Sequence, residues 1–405
     1  MKKPELLSPA GDMEKLKFAV HYGADAVYLG GSGFGLRAKA GNFTESELAE
    51  AVNFAHEKNV KVYVTVNVFP RNRDIDSLPE YIKYLEYIGA DAVIVSDPGV
   101  FISIREISPN MEIHISTQAN IMNWKSALFW EKKGAERIIL SRELTIDEIK
   151  TMKQKVNIEL EAFVHGSMCL SYSGRCYLSH YLSKRDANMG ECTQPCRWKY
   201  AIVEEKRPGE YYPIEEDASG TYIMNSKDLC MIEHIPSLIE GGITSFKIEG
   251  RMKSAHYVAT ITKAYRQAID QYCADPKNYD VDPAWLNEIK KTSHRPLSTG
   301  FYFEEGSSNS QIDTASTYIR RAKFAGRILD YDDHKKMALV EQRNRIEIGD
   351  RIEIFGPKTQ PYLTEVKKIT DIDGNFITAV PHPQMKYFLQ VDRKFEKNSL
   401  LRLMN

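Results

Sequence analysis

The chain has 405 residues, long for one hydrophobic core, so two domains or a barrel with an appendage are expected. With 42% apolar, 27% charged and 10% aromatic residues it lies in the globular range and outside the disordered one. A net charge of −1, from 54 Lys and Arg against 55 Asp and Glu, excludes a whole-chain basic field for nucleic acid. No run is long and apolar enough for a membrane helix, and Met1–Ser8 holds no long apolar signal core, so a cytoplasmic protein without a membrane partner is expected.

Eight short, mostly apolar and β-branched runs alternate with amphipathic helical stretches: Glu5–Ser8, Ala26–Leu29, Val62–Val66, Ala92–Val95, Ile113–Ile115, Arg137–Leu140, Leu160–Val164 and Ser245–Ile248. Consecutive βαβ units of this kind build a parallel sheet. An open doubly wound sheet and a closed barrel both fit the alternation. Eight is the closing number, and no G-x-G-x-x-G follows the first strand, so the reading is an α/β fold of the (β/α)8 TIM-barrel type over residues 1–275.

The junctions repeat. Gly23-Ala24-Asp25-Ala26-Val27, Gly89-Ala90-Asp91-Ala92-Val93 and Gly134-Ala135-Glu136-Arg137-Ile138 each end a helix and open a strand, with a looser copy at Gly242-Ile243-Thr244-Ser245-Phe246. The glycine suits the left-handed position after a helix. Thr44 with Glu47, and Thr145 with Glu148, offer a capping hydroxyl and an acid three residues on, so helices are expected to start there.

The spacing breaks once, where about sixty residues, roughly ten times a usual βα connection, separate the seventh strand from a helix expected near Lys227–Ile239. This insertion, residues 165–226, holds four of the six cysteines. Residues 276–319 read as a linker rich in Asp, Pro and Ser, and the runs Gly326–Leu329, Met337–Val340, Asp350–Phe355 and Thr378–Val380 suggest a small β-barrel over 320–405. Residues 321–405 carry 16 basic and 12 acidic residues, net +4, which makes Arg343, Arg345, Arg351 and Lys358 candidates for RNA contact, set against the ordinary reading of solvated charges.

Cys169, Cys176, Cys192 and Cys196 follow the pattern C-x6-C-x15-C-x3-C. In a reduced compartment, four thiols in one loop point to metal ligation rather than disulfides. Zinc and an iron–sulfur cluster both accept four cysteines; zinc ribbons favour two tight pairs, and only Cys192 and Cys196 make one here. Cys230 lies in an apolar run of helical pattern and is a secondary candidate ligand, whereas Cys273 reads as a packed thiol.

Barrel chemistry sits at the carboxyl ends of the strands. Those ends supply Ser8 and Asp12, Asn67, Gln118, Arg142, His165 at the start of the cysteine loop, and the run Lys247-Ile248-Glu249-Gly250-Arg251, with Arg37 on the loop after strand two. His165 and Glu249 are candidate acid–base groups, while Arg37, Asn67, Gln118, Arg142 and Arg251 are candidates for holding an anionic small molecule. The plain alternative for each is a residue that only ends a strand. For His165 that means a histidine satisfied by its neighbours, or a proton donor to a sulfide.

The stretch Glu161-Ala162-Phe163-Val164-His165-Gly166-Ser167-Met168-Cys169-Leu170-Ser171-Tyr172-Ser173-Gly174-Arg175-Cys176-Tyr177-Leu178-Ser179 resembles the signature of the collagenase-like U32 peptidase family. Gly190-Glu191-Cys192-Thr193-Gln194-Pro195-Cys196-Arg197-Trp198, the opening Leu6-Leu7-Ser8-Pro9-Ala10-Gly11-Asp12 and Lys247-Ile248-Glu249-Gly250-Arg251 resemble its other hallmarks, so the likeness spans the chain. Within the family it is similar to the branch that modifies tRNA. The resemblance implies a [4Fe-4S] cluster on Cys169, Cys176, Cys192 and Cys196, with tRNA as partner. It further implies oxygen-independent conversion of wobble uridine to 5-hydroxyuridine with prephenate as the anionic co-substrate and hydroxyl donor. Some relatives exchange one cysteine for another farther along, which keeps Cys230 in view. The alternatives are a collagenase-like peptidase, although no H-E-x-x-H or G-x-S-x-G is present, and a zinc-bound RNA-binding factor. A homo-oligomer or a pairing with a paralogue stays open.

Overall fold

The computed structural model describes residues 2–34, 42–168, 215–217, 220–222, 225–303, 311–312, 319 and 321–404. The strands Glu5–Pro9 (β1), Ala26–Leu29 (β2), Lys61–Val66 (β3), Ala92–Val95 (β4), Glu112–Ile115 (β5), Arg137–Ile139 (β6) and Glu159–Ser167 (β7) pair in parallel in chain order. A later strand, Ser245–Ile248 (β9), pairs with β7 on one side and β1 on the other and closes the ring. The eight expected strands therefore form a closed parallel barrel. Their side chains are buried almost throughout, as strands covered on both faces require.

The helices Met13–His21 (α1), Glu45–His56 (α2), Leu78–Tyr87 (α3), Pro98–Ile107 (α4), Trp124–Lys132 (α5) and Ile146–Lys153 (α6) follow their strands. Both expected capping boxes form: the Thr44 and Thr145 hydroxyls accept from the Glu47 and Glu148 amides while those carboxylates reach back to the cap. Gly23, Gly89, Gly134 and Gly242 all have positive φ, between 79° and 102°, so the recurring junction glycine is a conformational requirement.

The helix expected near Lys227–Ile239 is corrected. Asp228–Cys230 is a strand (β8), antiparallel to the end of β7, with Asp228 opposite Ser167 and Cys230 opposite His165. A 3-10 turn over Ile232–His234 follows, and the helix itself is short, Ile235–Glu240 (α7), opening on Pro236. The part of the expected linker that is described is built into the barrel. Helix Pro283–Ile289 (α9) buries Trp285 and Ile289 in the barrel core, and Leu297–Ser298 (β10) pairs with β8.

The eighth barrel helix, Ala255–Ala274 (α8), is buried on most of its circumference because it has two partners. Thr262 meets the Ser8 hydroxyl of β1 at 2.8 Å, and Ala255 and Ala259 pack with Phe18 and Tyr22 of α1 against Phe355 and Leu400 of the second domain.

That second domain is an antiparallel sheet of Ala322–Asp332 (β11), Met337–Gln342 (β12), Arg351–Phe355 (β13), Tyr362–Glu365 (β14), Ile369–Thr370 (β15), Phe376–Ile377 (β16), Lys386–Gln390 (β17) and Leu400–Met404 (β18), in the order β14-β13-β18-β11-β12-β17-β15-β16. It has its own core, including Ile328, Val340, Ile352, Ile354, Tyr387 and Leu389. Buried charges also join it to the barrel: Arg402 pairs with Glu288 of α9 and Glu353 of β13, and Lys291 Nζ reaches Glu288 at 2.6 Å and Glu353 at 2.9 Å. Arg343, a candidate RNA contact, pairs with Glu14 of α1 and Glu341 instead, so its charge is spent on the domain junction.

Candidate active site at the barrel mouth

The barrel lumen is charged at its floor. Glu161 of β7 is fully buried; Lys247 Nζ lies 2.7 Å from its Oε1, and Arg137 Nη1 lies 3.1 Å from its Oε2. Arg137 also reaches Glu5 at 2.6 Å, and the Tyr63 hydroxyl donates to Glu5 at 2.6 Å. Burial works to raise the Glu161 pKa, but Lys247 and Arg137 more than offset it and hold the carboxyl below the usual range.

Above this floor, Lys247 Nζ sits 4.4 Å over the Tyr28 ring, and the Tyr28 hydroxyl shares its one proton between the Ile248 carbonyl at 3.0 Å and Glu249 Oε2 at 3.2 Å. Glu249 is thereby tied to the mouth. Three glycines make the approach possible. A side chain on Gly166, which has φ +108°, would meet the Glu249 carbonyl at 2.5 Å; one on Gly11 would meet the Arg251 carbonyl at 2.1 Å; one on Gly30 would meet Arg251 Nη2 at 2.5 Å.

Arg251 is buried at the mouth, with Nη1 3.3 Å from Thr65 Oγ1 and Nη2 3.0 Å from Asn42 Oδ1. Asn67 donates to Gln118 Oε1 at 2.7 Å, and Ser116 donates to the same oxygen at 3.3 Å, so these two candidates form one polar unit. Arg142 is half-buried, its guanidinium 3.9 Å from the centre of the Phe163 ring, and among the described residues it makes no ion pair. Beside it on the chain, the buried Ser141 hydroxyl has no hydrogen-bond partner among the described residues. Thr65 and Tyr28 had no signal in the sequence beyond their place on a strand, and Asn42 none beyond its place before a helix.

His165 lies apart from this group, against the helix layer. Its Nδ1 is 3.4 Å from the Tyr265 hydroxyl, which itself donates to the Val164 carbonyl at 2.7 Å. Burial pushes the imidazole pKa down to about 3, so the ring is neutral at pH 7. A depressed folded-state pKa means that its contribution to stability is complete above the unfolded value of about 6.5 and is lost as pH falls toward the folded one, at about 1.4 kcal/mol per pH unit. The unfolding midpoint should therefore fall on acidification below about pH 6.5, and His165→Gln should flatten that slope; an unaltered slope would remove His165 from the titration.

Cys169, Cys176, Cys192, Cys196 and Arg37 lie outside the described residues. What the structure does give is where the cysteine segment is anchored. It begins just past Ser167 on β7, and the chain is back at Asp228 directly across the ladder, both at the mouth end of the barrel. Cys230 is buried opposite His165, and burial pushes its thiol up to about 11, which keeps it protonated at neutral pH as long as no metal is bound to it. Among the described residues, no group of three His, Cys, Asp or Glu could hold a metal ion, and no helix is long and apolar enough to cross a membrane.

A closed (β/α)8 barrel with polar groups converging at the carboxyl ends of its strands, a long cysteine-bearing excursion from one of those ends, and a docked antiparallel domain is the architecture the chain defines. The sequence matches peptidase family U32 over residues 11–312 and the peptidase family U32 C-terminal domain over 320–402. The chain belongs to peptidase family U32. It is 44% identical over 404 residues to tRNA hydroxylation protein P1 of Bacillus subtilis, covering 99% of this chain and 95% of that one. It is 36% identical to tRNA hydroxylation protein P of Escherichia coli, covering 100% and 97%. A protein of Porphyromonas gingivalis named collagenase is 32% identical, covering 90% of this chain and 89% of its own.

Proposed function

We propose that this chain is a cytoplasmic tRNA-modifying enzyme that hydroxylates wobble uridine at C5 without dioxygen, taking the hydroxyl group from prephenate and using a [4Fe-4S] cluster. The observation that carries the reading is that the cysteine-bearing segment opens at the barrel mouth, where Arg142 stands without an ion-pair partner among the described residues. Near full-length relatives named for tRNA hydroxylation support the substrate class.

Replacing C5–H by C5–OH removes two electrons from the base, and the exchange balances without a further oxidant when the donor takes up both as it gives up its hydroxyl oxygen, its C–OH ending as C–H. A cluster on Cys169, Cys176, Cys192 and Cys196 would supply one-electron redox chemistry, and four soft thiolates suit it. The chain's own residues would do the rest. Arg142 and Arg251, with Arg37, hold the two carboxylates of the donor; Asn67 and Gln118 orient it; Glu249, held by Tyr28, takes a proton at the mouth. His165, neutral and fixed by Tyr265, keeps β7 in place where the cysteine segment departs.

The test is mass spectrometry of tRNA nucleosides from a strain lacking the gene, complemented with wild type or with Cys169→Ser. The expected result is loss of 5-hydroxyuridine derivatives, restored by wild type alone. Unchanged nucleosides in a deletion strain without a paralogue would overturn the assignment. The collagenase relative favours a peptidase as second reading, but the histidine that would activate Cys169 directs Nδ1 at Tyr265. Gelatin hydrolysis surviving both Cys169→Ser and metal removal would revive it.

A further inference from the structure

The C-terminal sheet has one face that the barrel covers only in part. Cross-strand register defines a row on that face: Phe355, Leu400, Arg327, Glu341, Lys386. Its first two members pack on Phe18 and Tyr22 of α1 and on Ala255 and Ala259 of α8, and its third reaches Glu14 at 3.4 Å. Glu14 is in the first turn of α1, at the barrel mouth, whereas Tyr22 is at the far end of that helix. Two steps across the sheet thus run from the second half of α1 to its first turn at the mouth. The next two strands, about 4.8 Å apart, continue the row beyond Arg327, which meets the mouth end of α1.

The outer part of this face carries apolar side chains and lysines, with acids at its turns. A second row runs Leu339, Phe388, Thr370, Phe376. In the same strands Ala338, Val340, Tyr387, Leu389 and Ile369 fill the domain core, so alternation turns Leu339 and Phe388 to the outside. Phe376 is 60% exposed and nearby Ile372 is 63% exposed. Lys335 Nζ lies 5.1 Å over the Phe388 ring and 3.9 Å from Asp332 Oδ2 in an exposed pair, and Lys386 is exposed in the neighbouring row. Of the acids on this face, Glu341 is bound by Arg327 at 3.0 Å and Arg343 at 2.7 Å, while exposed Asp330 stands opposite Leu339 at the edge of the second row. Flat exposed rings on a sheet with lysines between them are what unpaired nucleotides stack on.

We infer that this outer face, with Phe376 and Phe388 as stacking groups and Lys335 and Lys386 as phosphate contacts, binds an unpaired stretch of the RNA substrate and delivers the target nucleotide to the barrel mouth. The inference rests on the tRNA reading above and gives it a location. It replaces Arg343, which the domain junction consumes.

The experiment uses the full chain and an unmodified tRNA transcript with uridine at the wobble position, with affinity read by fluorescence anisotropy. Phe376→Ala with Phe388→Ala, and separately Lys335→Glu with Lys386→Glu, should each weaken binding about tenfold or more. The charge-reversal pair touches no core side chain and should keep the wild-type thermal midpoint. Wild-type affinity in both double variants overturns the platform and leaves the tRNA reading standing. Failure of the wild-type chain to bind any tRNA overturns both. Loss of gelatin binding with unchanged tRNA affinity would assign the face to a polypeptide, which also overturns the inference.

Discussion

On the proposed reaction, replacing Arg142 with alanine should raise the prephenate concentration needed for half-maximal 5-hydroxyuridine formation by about ten- to a hundredfold, the worth of one charge-assisted hydrogen bond at about 1.5–3 kcal/mol. The guanidinium is already oriented by the Phe163 ring at 3.9 Å and makes no ion pair among the described residues, so little ordering remains to be done when a carboxylate arrives. Arg142→Lys should recover only part of the loss, because an ammonium cannot match both carboxylate oxygens at once. Steady-state titration of prephenate with purified, anaerobically prepared protein measures this. An unchanged requirement would dismiss Arg142 and leave Arg251 as the anion-binding group.

The largest effect on stability should come from Glu161→Ala. That carboxylate is fully buried between Lys247 and Arg137, and removing it leaves two cations in the lumen with less than their compensation. Breaking a buried pair by removing one partner costs about 3–5 kcal/mol. Chemical denaturation should show that loss in the midpoint without a change in slope. Replacing both Glu161 and Lys247 by apolar residues of similar volume should be far milder, since the desolvation cost of the ions disappears with them. If the single variant is as stable as wild type, the lumen network contributes nothing to the fold.

The barrel was legible because its signals are local. Strand composition, the capping pairs at Thr44 and Thr145, and the glycine before four of the eight strands all act within a few residues, and each appears as expected. The strand at Asp228–Cys230 was hidden because Leu229-Cys230-Met231-Ile232 is a short apolar run that suits helix and strand alike; what decides it is the ladder to Ser167, Gly166 and His165, about sixty residues earlier. Arg343 looked like a free basic residue for the same reason: Glu14 is more than 300 residues away in sequence and beside it in space. At the mouth, strand ends pointed to Asn67, Gln118, Arg142 and Arg251, but the partners that position them, Thr65, Asn42 and Phe163, come from other strands and loops. Pairings across a closed sheet are not written in any one stretch of sequence.

The ladder between Ser167 and Asp228 has one more consequence. Because the excursion leaves and returns on neighbouring strands, the barrel experiences it as a closed loop whose two feet are already together. Closing a longer loop adds only about 0.6 kcal/mol for each doubling of its length. The barrel therefore sets where the cysteine segment stands and is nearly indifferent to how long it is. Loop-closure entropy alone thus gives the eight strands beneath no reason to repack when the length between these two feet changes.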